Sequence, residues 1–131
     1  VAREVNYFNT KAKNETVFNK LFEAAETVTD CDQHRHAAAI VYKKQILSIG
    51  RNQLKTHPIM LKYQTDKYKI YLHAEIDAII KTINQYGSDV LKRCDLYVMR
   101  LTGGGNIGMS KPCQGCQKAI DAFGIKGVYW T

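Results

Sequence analysis

Apolar side chains recur along this chain in two rhythms, one helical and one strand-like, and their succession predicts the element order. From Asn14 to Thr29, Val17, Leu21, Phe22, Ala25 and Val28 fall at steps of three and four, which predicts a first amphipathic helix. Ala37 to Tyr42 and Gln45 to Gly50 read as two short strands joined by the basic turn Lys43-Lys44, a hairpin that opens a sheet. Gln53 to Leu72 mixes lysines and aromatics without a clean period, and Pro58 argues against an uninterrupted helix, so an ordered surface loop is expected. Ile76, Ile79, Ile80 and Ile83 mark one face of a second helix that should end near Gln85-Tyr86-Gly87, where glycine suits the cap. Leu96 to Leu101 reads as a third strand and Thr102 to Gly108 as a glycine-rich loop. Pro112 fits the first turn of a third helix running to about Phe123 and closed by Gly124, and Val128-Tyr129-Trp130 supplies a fourth strand.

The order helix, hairpin, helix, strand, helix, strand predicts an α/β sandwich with parallel crossovers. A length of 131 residues fits one domain, spanning 1–131, with a core that does not depend on disulfides. Apolar residues at 45% and charged residues at 24% place the chain among folded soluble proteins and away from disorder. No apolar run approaches bilayer length, and Val1-Ala2-Arg3-Glu4 lacks the apolar core of a signal peptide, so no membrane partner and a cytoplasmic location are expected. All four cysteines are read as reduced. The net charge of +7 favours phosphorylated or polyanionic partners without separating a nucleotide from a nucleic acid.

Chemistry concentrates in two short motifs, His73-Ala74-Glu75 and Pro112-Cys113-Gln114-Gly115-Cys116. Cys113 and Cys116, three apart at a helix start, project from one face and can bind one tetrahedral ion, and a helix N-terminus favours thiolate over thiol. No second Cys-x-x-Cys pair completes a four-cysteine structural site, so His73 is the candidate third ligand. Three protein ligands and one open position make the catalytic form of a zinc site, in which bound water is activated near neutral pH. Glu75, placed at a helix start, can reach the same pocket and serve as proton shuttle.

His-x-Glu followed by Pro-Cys-x-x-Cys is a recognised signature of zinc deaminases, and the chain from about Cys31 to Trp130 resembles the cytidine deaminase superfamily. The resemblance implies a three-layer α/β/α sandwich with a mixed sheet, an opening antiparallel hairpin and parallel crossovers. It implies a Zn2+ cofactor held by His73, Cys113 and Cys116, with Glu75 as acid and base, Asn52 as a substrate contact and Ala74 offering its backbone to the base. A histidine as first ligand is similar to the deoxycytidylate, nucleic-acid-editing and tRNA adenosine branches. The sequence around His73 and from Asp77 to Ile83 most resembles deoxycytidylate deaminase-like proteins, including those of phages. The implied reaction is hydrolysis of a free cytosine nucleotide, dCMP to dUMP with release of ammonia. The alternatives are an editor of single-stranded DNA cytidine or tRNA adenosine, and a non-catalytic zinc- or nucleic-acid-binding module, against which Glu75 speaks.

Two departures from the family bear on detail. The glycine-rich stretch Thr102 to Ser110 is long where relatives pass quickly from strand to Pro-Cys, and it should sit at the lip of the pocket. The family usually continues beyond the strand at Trp130, so a bare edge there predicts a homo-oligomer. Cys31, His34 and His36 are either a second metal cluster or solvent-facing histidines beside a buried thiol, and Cys94 is a packed thiol. Lys55, His57, Lys62, Tyr63, Lys67, Tyr68, Lys69 and Tyr71 are either a solvated face or a pocket border suited to phosphate and bases. Arg51 and Arg100 are either phosphate-facing cations or ordinary surface arginines.

Overall fold

Both faces of one sheet are covered, and the alternation within single strands shows why. The computed structural model describes residues 3–29, 34–63 and 71–131, with side chains from residue 15 onward. Strand β2 (Arg35–Tyr42) turns Ala37, Ala39 and Val41 to one side, where they pack with Val17, Leu21 and Ala25 of helix α1 (Tyr7–Glu26). Ala38 and Ile40 turn to the other side and join Ile76 and Ile79 of helix α3 (Ala74–Tyr86) and Ile120 of helix α4 (Gln114–Ala122). A strand buried on both faces reads as a continuous apolar run, as Ala37 to Val41 does. The result is the three-layer α/β/α sandwich expected from the sequence.

The sheet runs in the order β1 (Arg3–Asn6), β8 (Gly127–Trp130), β6 (Asp95–Leu101), β2 and β3 (Gln45–Arg51). Strand β3 pairs antiparallel with β2, and β2 pairs antiparallel with β6. Strand β8 lies parallel to β6, reached through α4. The hairpin turn is formed by Lys43 and Lys44, both at positive φ (46° and 69°). A lysine there costs about 1 kcal/mol per residue, which the antiparallel pairing from Tyr42–Gln45 to Ala37–Arg51 offsets.

Four regions depart from the sequence expectation. The first helix starts at Tyr7 rather than Asn14, and strand β1 (Arg3–Asn6) precedes it, pairing parallel with β8 in register Arg3–Gly127 to Asn6–Trp130. The edge of β8 expected to be bare is therefore covered, and the outer strands of the sheet are β1 and β3. Gln53 to Leu72 is not merely a loop: β4 (Gln53–Thr56) pairs antiparallel with β5 (Tyr71–Leu72), and helix α2 (Pro58–Tyr63) lies between them, with buried Met60 in the core and Pro58 at its first position, where a missing N–H does no harm. The glycine-rich stretch contains β7 (Ile107–Gly108), which folds back antiparallel on Arg100 and Leu101. Pro112 stands before the cap of α4 rather than in its first turn, because Cys113 is the N-cap. Gly124 does close that helix, at φ 75°, with Ile125 N–H reaching back to Ile120 C=O at 3.2 Å.

Helix α3 sits unusually close to β3. A Cβ added to Gly50 would collide with the carbonyl oxygen of Ala74 and the amide nitrogen of Ala78, so only glycine allows this approach. Polar stitches hold the contact. Ser48 Oγ donates to Ala78 C=O (2.8 Å) and lies 2.7 Å from Thr82 Oγ1, while the buried Asp77 carboxylate accepts from Arg51 N–H and from Lys81, each at 3.0 Å. Gly50→Ala must displace α3, with an expected loss of at least about 2 kcal/mol in urea unfolding and a matching fall in bound zinc. A variant with wild-type stability and zinc content would show that the approach is not needed.

Candidate metal and catalytic centre

Two helices begin at the same point. His73 is the N-cap of α3, with extended backbone (φ −81°, ψ 153°), and its ring takes no part in capping, while its carbonyl accepts from Asp77 N–H at 3.0 Å. Cys113 is the N-cap of α4, and its sulfur accepts from Cys116 N–H at 3.5 Å. Each cap side chain thus stands at the positive end of its helix, where orphan N–H groups and the macrodipole favour negative charge.

The donor atoms of His73, Cys113 and Cys116 all lie within 4.8 Å of one another, the one such His/Cys/Asp/Glu group among the described residues. Nδ1 of His73 is 3.2 Å from Cys116 Sγ and 3.6 Å from Cys113 Sγ. A tetrahedral zinc site with metal–sulfur bonds of about 2.3 Å and a metal–nitrogen bond of about 2.0 Å sets nitrogen and sulfur about 3.5 Å apart. The three residues fit a zinc ion in spacing and in chemistry. Cys116 is buried and Cys113 half-buried, so one side of the cluster stays accessible.

The two thiols differ sharply in acidity. Hydrogen bonds from the Cys116 thiol, from His73 and from the Cys116 amide hold Cys113 down to about 3, against the opposing effect of burial. Cys116 is pushed well above its ordinary value by the hydrogen bond it gives Cys113, by burial and by the nearby Glu75 carboxylate. One sulfur of the pair is thus far easier to deprotonate than both, and a divalent cation held by the two would take the place of the remaining proton.

Glu75 is only 4% exposed and sits in the first turn of α3, within hydrogen-bonding reach of Cys116. Ala74, fully buried, is the first helical residue, and its N–H belongs to the set that a helix leaves without an internal partner. Asn52 follows β3 and precedes Gln53, which pairs with Leu72, the residue before His73. The Asn52 side chain grips the start of β2: Oδ1 accepts from His36 N–H (2.8 Å) and Nδ2 donates to His34 C=O (2.6 Å).

The model of the "cytidine and deoxycytidylate deaminase zinc-binding region" matches residues 11–131. The chain belongs to that family. Deaminase structures share its fold. The dCMP deaminase of cyanophage S-TIM5, solved in complex with dCMP and dUMP, aligns with TM-score 0.64 and 22% identity over 89% of this chain and 79% of its own. Guanine deaminase from Bacillus subtilis aligns with TM-score 0.60 and 25% identity over 91% of this chain and 64% of its own. A tRNA:A34 deaminase that edits the wobble position aligns with TM-score 0.57 and 22% identity, over 89% and 75%. No curated protein sequence matches the chain. This deaminase is thus a zinc-dependent hydrolase by family, and the relatives differ in the base they act on.

Residues of this deaminase that the sequence reading did not place at the site now join it. His36 was grouped with Cys31 and His34, but Cys31 lies outside the described residues and His34 is exposed. His36 instead senses the charges of Glu75, Arg100 and His73, while burial lowers its pKa, and its Nδ1 is 3.1 Å from His34 C=O. The signal was present in strand parity, since His36 shares a face with Ala38 and Ile40. Cys94 is buried as expected, its thiol donating to Val90 C=O.

Ser110 and Thr131 form a second unforeseen group, one that delivers Cys113. Ser110 Oγ donates to Val98 C=O (3.0 Å) and accepts from Thr131 N–H (2.9 Å), and Thr131 Oγ1 donates to Gly108 C=O (2.7 Å). Both residues are buried, at 2% and 5% exposure, so a lost partner leaves polar groups unsatisfied. Ser110→Ala should weaken zinc binding by on the order of 10-fold or more in chelator competition below the unfolding transition. Undiminished zinc affinity would assign Ser110 to stability alone.

Proposed function

We propose that this deaminase hydrolyses cytosine in a free nucleotide, converting dCMP to dUMP and releasing ammonia. The observation that carries this reading is the buried Glu75 carboxylate set against the His73-Cys113-Cys116 cluster, a proton carrier beside a metal site. His73, Cys113 and Cys116 hold the zinc ion. When bound, zinc supplies a Lewis acid that makes water nucleophilic near neutral pH.

Glu75 takes one proton from the attacking water as its oxygen adds to the amine-bearing ring carbon and delivers it to the ring nitrogen, then carries the second proton of that water to the departing amine as the ring carbonyl forms. A carbon–nitrogen bond is replaced by a carbon–oxygen bond, with water consumed and ammonia released. The buried setting of Glu75 keeps that proton from bulk solvent. Ala74 presents its N–H to the base from the start of α3. Asn52, already tied to β2 through Oδ1 and one amide hydrogen, contacts the substrate with the other and fixes the pocket edge. Thiolate ligands suit a reducing compartment such as the cytoplasm.

The net charge of +7 and the fold shared with a tRNA deaminase support nucleic acid as a second class of substrate. Both readings are separated by ammonia release from cytosine, guanine and adenine compounds, alongside base conversion in single-stranded DNA and tRNA. Zinc-loaded wild type is expected to act on dCMP, and Glu75→Gln to keep its zinc while losing activity by roughly 100-fold or more. Loaded wild type that releases ammonia from none of these compounds would refute the enzyme reading, and conversion only within polymers would shift it to an editor. We also infer a homo-oligomer, paired through the outer strands β1 or β3; light scattering that finds only monomer at assay concentration excludes it.

A further inference from the structure

Of the two arginines that the sequence offered to a phosphate, one is turned away. Arg51 is exposed and pairs in register with Ala37 on the α1 side of the sheet, where its Nη1 donates to Thr27 Oγ1 at 2.6 Å. Arg100 faces the other way. It follows Leu96 and Val98 at steps of two, and both of these pack in the layer of α3 and α4.

Three further observations place Arg100 at the site. Its cross-strand partner in β2 is His36. His36, whose N–H is held by Asn52, lies within electrostatic range of Arg100, Glu75 and His73. The guanidinium is seated by β7: Nη1 donates to Met109 C=O at 3.4 Å, and the plane lies against Gly108, where an added Cβ would stand 3.3 Å from Nη1 and 3.4 Å from Cζ. The back-folded strand thus has a use, because it supplies the shelf that orients this side chain.

Arg100 also stands near the C-terminal end of β6, two residues past its last pair with parallel β8 (Val98–Trp130), where Gly108 of β7 lies beside it and the chain goes on to Cys113. In α/β sheets that crevice, beyond the carboxyl ends of parallel strands, is where ligands bind. A guanidinium carries a permanent charge and a planar fork that matches phosphate oxygens.

We infer that Arg100 is the specificity-determining residue of this site, selecting substrates that carry a phosphate and holding that group while the base lies at Glu75. The inference rests on the free-nucleotide reading, which it deepens. It names the part of the molecule that separates a nucleotide from a nucleoside.

The test compares kcat/KM for dCMP and for deoxycytidine in zinc-loaded wild type, Arg100→Gln and Arg100→Lys, with binding of inorganic phosphate measured by calorimetry on the same samples. Wild type should prefer dCMP by at least about tenfold, and in Arg100→Gln the ratio should fall on the order of 10- to 100-fold, mostly through KM. Arg100→Lys should recover part of it, since it keeps the charge and loses the fork. Phosphate binding should weaken in step. A wild-type ratio near one overturns the inference without any variant, as does an equal loss on both compounds with phosphate binding unchanged. Wild type that binds phosphate through Arg100 yet deaminates no cytosine compound would sink the functional reading and leave the anion site standing.

Discussion

The closeness of α3 to β3 at Gly50 is the constraint on which the site depends. The metal-binding residues come from distant parts of the chain, and His73 belongs to a helix whose position is set only by what it rests on. With a side chain at position 50, the first turn of α3 would ride higher on the sheet, and the His73 ring would leave the 3.2 Å contact with Cys116. Apolar packing through Ile76 and Ile79 supplies attraction but fixes depth poorly. Backbone contact at Gly50, with the bonds from Ser48 and to Asp77, fixes it well. A metal site tolerates errors of a few tenths of an ångström, which is the tolerance of hydrogen-bonded backbone rather than of side-chain packing.

Much of this fold was legible because both faces of the sheet are buried. Helical spacing located Val17, Leu21 and Ala25, and all three are core residues. The hairpin was legible from its two strands, although its turn residues are lysines held at positive φ rather than the glycine or asparagine such a turn prefers. What escaped notice was short or made by partners far away in sequence. Strand β1 has four residues and pairs with residues 127–130, so nothing local announces it. Strands β5 and β7 have two residues each, too few for any period. Helix α2 has only six residues, and its apolar run Ile59-Met60-Leu61 shows no helical period, so nothing in the pattern announces that Met60 alone is buried.

The site itself was legible to a different degree at each residue. His73, Cys113 and Cys116 are found where their spacing put them, because the chemistry of a metal ligand shows in residue type alone. His36 is a different case: its sequence neighbour Cys31 lies outside the described residues, whereas its neighbours in space, Arg100 and Asn52, come from strand register. Asn52 shows a third case. Its amide is engaged with the main chain at His34 and His36, so whatever it does for a substrate it also does for the shape of the pocket wall. Ser110 and Thr131 carry no signal in sequence, since small hydroxyl residues become structural only when burial removes water as their alternative partner.

The thiols and the Glu75 carboxylate are best understood as one electrostatic unit. Glu75 beside Cys116 raises the cost of a second thiolate, and the cap position of Cys113 lowers the cost of the first. Two negative sulfurs and a buried carboxylate in one place would repel one another strongly in a medium of low dielectric, and a divalent cation reverses the sign of that balance. The arrangement is therefore poorly suited to be empty and well suited to bind a doubly charged ion. The same field bears on substrate. A phosphate brought into this region adds further negative charge beside the buried Glu75 carboxylate. A fixed cation at Arg100, held on its β7 shelf beyond His36, offsets that charge at the one end of the site where it does not compete with the metal.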